Sequence, residues 1–98
     1  MNIFDYNIPK IGEDFTTLFE NKKIKIVRIV SSETIENKQY IQDEDEFVIV
    51  LEGNAKLKID GCTKCISKGE YIYIPAKTPH EVIETKNDTL WLAVHFSL

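Results

Sequence analysis

The chain has 98 residues, 43% of them hydrophobic and 29% charged, with a formal net charge of −4. That length makes one domain, 1–98, since single domains commonly run to roughly 100–150 residues, and the composition is that of a folded protein rather than a disordered tail. A net acidic chain lacks the basic face that displaces counter-ions from phosphates, so nucleic-acid partners are excluded; the longest apolar runs, such as Phe47 to Leu51, fall far short of a membrane span.

The opening MNIFDYNIPK has no basic start followed by a long apolar stretch, so no signal peptide is expected and the protein is placed in the cytoplasm. Residues 1–22 read as an N-terminal arm. Within it, Phe15, Leu18 and Phe19 fall at i, i+3 and i+4 behind Asp14, a possible N-cap, and predict a short helical turn. Everything after the arm reads as strand. KIKIVRIV (23–30) is β-branched and alternates, then loses strict parity near Val27, as a bulge or two-sided burial would cause. EFVIVL (46–51) is apolar enough for a fully buried strand, with Glu52-Gly53-Asn54 as the turn behind it.

AKLKID (55–60) alternates like a half-exposed hairpin partner closed by Asp60-Gly61. YIYIP (71–75), HEVIET (80–85) and LWLAVHF (90–96) complete the strands, with Lys86-Asn87-Asp88 as a turn. Short strands at such spacing, with turn signals between them, predict an all-β sandwich or barrel. FVIVL and WLAV are apolar on both faces, so a second sheet, the N-terminal segment or a second subunit must cover one of them. Exposed edges need cover as well, and a homodimer is expected.

Cys62 and Cys65 form a C-x-x-C pair. No second pair completes a zinc site, and no helix follows to depress a thiol pKa, so both read as incidental turn cysteines. Asp43, Glu44 and Asp45 read as a solvated strand lip, and Tyr40, Tyr71, Tyr73 and Trp91 as core and interface mass.

Two stretches resemble the paired motifs of the cupin superfamily, the small β-barrels related to germins. The first motif carries H-x-H, a Glu four residues on and a Gly seven beyond it; Glu46 and Gly53 keep that separation. The second carries a Gly, a Pro six later, a small residue and a His five after the Pro; Gly69, Pro75 and His80 match. The resemblance covers 40–96 and implies a small antiparallel β-barrel, or jelly roll, of the compact bacterial kind. There are departures: Tyr40 and Gln42 stand at the two histidine positions, Lys77 where a small residue belongs, and Glu84 where Asn is frequent.

The resemblance points Glu46 and His80 into the barrel mouth, where period-two alternation adds Val48 and Val50 to the first, Val82 and Glu84 to the second. A buried carboxylate needs a partner. One possibility is a divalent zinc, manganese or iron ion on Glu46, His80 and Gln42, a weak mixed O/N site, with His95 as a further imidazole if it faces inward. The other is a direct Glu46–His80 pair in a polar pocket; loss of the metal is the favoured reading. Arg28, unusual inside IVRIV, is expected near the cavity, holding an anionic ligand or pairing with Glu46 or Glu84.

The expected function is therefore small-molecule binding by Arg28, Tyr40, Gln42, Glu46, His80 and His95. The alternative is a metal-dependent enzyme with Glu46 and His80 as ligands. If it is an enzyme, an isomerase or lyase using His80 and Glu46 as a catalytic acid–base pair is easier to support than a dioxygenase. A filled barrel would instead mark an interaction module with a vestigial pocket.

Overall fold

The computed structural model describes residues 1–35 and 38–97, residue 87 by its backbone alone. Six strands follow in order: β1 Glu13–Glu20, β2 Ile24–Ser31, β3 Asp45–Ile59, β4 Cys62–Ser67, β5 Tyr71–Ile74 and β6 His80–Phe96. They form one antiparallel sheet in the order β1-β2-β6-β3-β4, with β5 on the free edge of the first half of β3. The all-β barrel expected from the strand spacing is present.

The sheet closes on itself because β3 and β6 are long and bent. They pair from Asp45↔Phe96 to Ile59↔His80, and the register slips at Val50/Glu52, at Glu52/Asn54 and at Lys56/Leu57. Glu52-Gly53-Asn54 is thus a bulge inside β3 rather than a turn, and Lys86 to Asp88 likewise lies within β6. Gly53 is required at the bend: its φ is +86°, and a Cβ there would sit 2.7 Å from both the Asp88 carbonyl oxygen and Thr89 Oγ1. A bulge adds a residue to one strand and bends it, which folds the second half of each long strand over the first. The Asp60-Gly61 hairpin joins β3 to β4 as expected, both residues having positive φ (47° and 81°).

The expected helical turn is instead strand β1. Phe15 pairs with Ile29 and Thr17 with Val27, then the register shifts so that Phe19 meets Ile26. The extra residue, Leu18, produces an i, i+3, i+4 apolar pattern without a helix, and Asp14 pairs with Val30 instead of capping. In β2 the lost parity comes from two-sided burial: Val27 and Val30 are both buried while the β2–β6 register runs unbroken from Ile24↔Phe96 to Ser31↔Thr89.

Between the layers lies a core of Val48, Val50, Leu57, Ile66, Ile74 and Trp91. Polar Glu46 continues the inward face of Val48 and Val50, and is itself only 6% exposed. Among the described residues no helix is long and apolar enough to cross a membrane.

Candidate functional site

Glu46 lies directly opposite His95 in the β3–β6 register and beside Ile74 of β5. His80, at the other end of β6, is carried to the same place by the bend, and a two-way backbone bridge with Tyr40 pins it there (2.7 and 3.0 Å). Gln42 Nε2 donates to Glu46 Oε1 at 2.8 Å. His80 Nε2 lies 3.6 Å from Oε1, and His95 Nε2 lies 3.9 Å from Oε2. Two imidazoles and an amide therefore surround one buried carboxylate.

His80 is oriented from behind. Its Nδ1 is 2.9 Å from the Thr78 carbonyl, which can only accept, so Nδ1 carries the proton and donates. Nε2 is the nitrogen turned toward Glu46. The Tyr40 ring stacks on the imidazole with centroids 6.0 Å apart. The Thr78 loop is itself held from two sides: Asp45 Oδ1 accepts from Ala76 N at 2.8 Å and from the Tyr73 hydroxyl at 2.9 Å, and Lys77 N donates to the Gln42 carbonyl. Asp45 is thus a clasp rather than part of the solvated lip. Lys77 adopts φ +62°, the left-handed backbone that explains why a small residue belongs at this motif position.

These groups open onto a cavity of about 90 Å³. Its polar lining is Glu13, Tyr40, Gln42, Glu46, His80 and His95; Val48, Leu57, Ile74, Val82 and Trp91 are the main apolar walls, and Phe15, 56% exposed, forms part of the rim. Five of the residues singled out in the sequence thus meet in one place.

Arg28 does not join them. Its neighbour Ile29 lines the cavity, so alternation turns Arg28 to the outer face. There Nη1 donates to the carbonyls of Asp5 (2.9 Å) and Ile3 (3.4 Å), and the guanidinium carbon lies 5.9 Å from the Tyr6 ring centroid. The guanidinium fastens the N-terminal segment and pairs with neither Glu46 nor Glu84. Glu84 also leaves His80's face, because Val82 pairs with Leu57 and Glu84 with Lys56, making Ile83 an extra residue that resets the parity. It faces Lys56 at 4.0 Å on the outside. Cys62 and Cys65 are exposed and three residues apart on one strand, so their side chains point to opposite faces and cannot bridge.

Glu13 was not singled out in the sequence, and the structure adds it. It opens β1 opposite Ser31 and accepts a hydrogen bond from Ser31 Oγ, which accepts one from Trp91 Nε1 at 2.9 Å. Burial raises the Glu13 carboxyl above its ordinary pKa; the Ser31 hydrogen bond opposes this and the charge of Glu46 adds to it. A buried indole N–H needs an acceptor, and the search for that acceptor leads through Ser31 to Glu13.

A metal would need convergent, unprotonated donors. Gln42 instead turns its N–H toward Glu46, occupying the oxygen nearest His80. Among the described residues no group of three His, Cys, Asp or Glu is placed to hold an ion. The donor set as arranged does not fit a preformed metal centre.

The family model described as "Cupin domain" matches residues 26–95, and the chain belongs to that family. A crystal structure of a "putative mannose-6-phosphate isomerase" from Ralstonia eutropha JMP134 is similar over 100% of this chain and 97% of its own, at 31% identity and a TM-score of 0.88. An RmlC-like cupin from Shewanella frigidimarina superposes with a TM-score of 0.80 over 89% of this chain and 78% of its own. At 17% identity that likeness concerns the fold alone. An uncharacterized protein of Methanocaldococcus jannaschii is 38% identical over 53 residues, or 54% of this chain; the match spans 41% of that relative.

Proposed function

We propose that the protein is a small-molecule-binding cupin, acting in the cytoplasm, with its ligand held among Tyr40, Gln42, Glu46, His80 and His95. One observation carries this reading: these polar side chains converge on a cavity whose other walls are apolar, the lining of a ligand site. A buried carboxylate beside two imidazoles is costly where hydrocarbon would pack, and a few convergent polar groups in an otherwise apolar pocket suit a ligand site. A vestigial, filled barrel would have no such cavity.

At about 90 Å³ the cavity is small beside the roughly 300–1,000 Å³ of ordinary ligand pockets. It suits a small ligand or one end of a larger one, with Phe15 at the rim. Among the described residues no Lys or Arg lines it. A phosphoryl group would find no guanidinium or ammonium there, and the substrate in the Ralstonia relative's name is not carried over for that reason.

The Thr78-held tautomer of His80 favours one second reading, an isomerase or lyase in which His80 Nε2 and Glu46 exchange a proton with substrate. Metal dependence through Glu46, His80 and Gln42 is the rival form of it, separated by metal content. The binding reading is tested by thermal-shift screening of a metabolite set against the wild type and His80→Ala. Hits whose shift is lost in the variant support the cavity as the site; hits that all survive the substitution contradict it.

A further inference from the structure

We infer that Glu13 sets the ligand class: the cavity selects small molecules that present an ammonium or hydroxyl donor and rejects carboxylates and phosphates. This rests on the reading of the cavity as a small-molecule site and adds to it the chemistry recognised there.

Glu13 enters the cavity from β1, with β2 and β6 lying between it and Glu46 on β3 in the sheet order. Trp91 and Ser31 form a directed relay onto its Oε2, which aims the carboxyl but brings no positive charge. The second oxygen has no protein partner among the described residues, and Glu13 is in no ion pair there. Glu13 is only partly buried and lines the open cavity, so its second oxygen is left accessible to a donor that enters from outside. Glu46 presents a second carboxylate to the same space, while His80 and His95 reach it from β6 and Tyr40 from the segment before β3. The charge of Glu46 is felt at Glu13. A donor beside Glu13 gives its free oxygen a partner, whereas an anion adds negative charge next to two carboxylates in a cavity that, among the described residues, no Lys or Arg lines.

The test uses three probes with one four-carbon chain: butylammonium, 1-butanol and butyrate. Each is titrated into ¹⁵N-labelled full-length protein at pH 7.5, wild type, Glu13→Gln and Ser31→Ala. Gln keeps an oxygen for Ser31, so the relay survives and only the charge is lost. The wild type is expected to prefer butylammonium to butyrate by about tenfold or more, the scale of a charge-assisted hydrogen bond over its absence. Glu13→Gln should erase about tenfold of that ratio while shifting 1-butanol less than about threefold. Ser31→Ala, which keeps the charge but frees its aim, should lose about threefold. Wild-type preference for butyrate, or a preference undiminished in both variants, overturns the role of Glu13 and leaves the binding cavity standing. Silence of all cavity residues toward all three probes overturns the binding reading and this inference together.

Discussion

Glu46 is shared by two imidazoles from opposite ends of one strand: His95 faces it in register at 3.9 Å, and His80 returns to it at 3.6 Å. Only a strand folded back on itself can deliver both. The site is therefore a product of the bends in β3 and β6, and it is as sensitive to their bulges as to its own side chains.

The bend gives the first prediction. Gly53→Ala should destabilise the fold by about 3 kcal/mol or more, since it combines a positive φ with a backbone clash. Gly61→Asn, which shares the positive φ (81°) but has nothing within 4 Å of an added Cβ and brings a side chain that tolerates the left-handed region, should cost less, about 1 kcal/mol. Urea denaturation of both variants checks the contrast; equal losses would place the bend elsewhere.

Glu13 gives a pH dependence whose sign follows from its raised pKa. The native state holds this proton more tightly than the unfolded chain, so the associated stability is complete below the ordinary value of 4.5 and is lost as pH climbs through the raised value. Glu13→Gln, permanently neutral, escapes that loss. Its melting temperature relative to wild type should rise from pH 4 upward and then level off. A difference that stays flat across this range would mean that the native environment does not perturb the carboxyl.

Metal content is the third point. Tyr40 and Gln42 replace the two motif histidines, and Gln42 already occupies Glu46. Protein purified without tag or chelator should hold less than about 0.1 equivalent of zinc, manganese or iron, since a preformed site would retain its ion. Near-stoichiometric metal, lost in His80→Ala, would replace the binding reading with metal-dependent catalysis.

A second copy is the expected partner of β1. This edge strand exposes Phe15, Leu18 and Phe19 at 56%, 40% and 52%, more apolar surface than an unpaired edge ordinarily shows. Light scattering should give twice the 11.3 kDa chain mass, and Leu18→Lys with Phe19→Lys should return it to one. A wild-type mass of one chain would contradict the homodimer.

The legible parts were those coded by period and spacing. Strand alternation predicted a sandwich or barrel, and the Glu46–Gly53 and Gly69–Pro75–His80 separations matched the cupin motifs, a resemblance that implied the meeting of Glu46 with His80. Bulges hid the remainder. Leu18 imitates a helical repeat, which concealed β1 and with it Glu13. Ile83 turns Glu84 outward against simple alternation. Gly53 marks a bend with the same residue that marks a turn, and Arg28 followed a strand whose two faces are both covered, so hydrophobicity could not say which way it points.

The most direct measurement exploits the fact that the chain has two histidines, both lining the cavity. Their imidazole C–H resonances, assigned by single His→Gln variants, are followed while butylammonium is added at constant pH. A ligand site at Glu46 requires both to move with one shared midpoint. Saturable shifts elsewhere on the protein with both rings unmoved would contradict it.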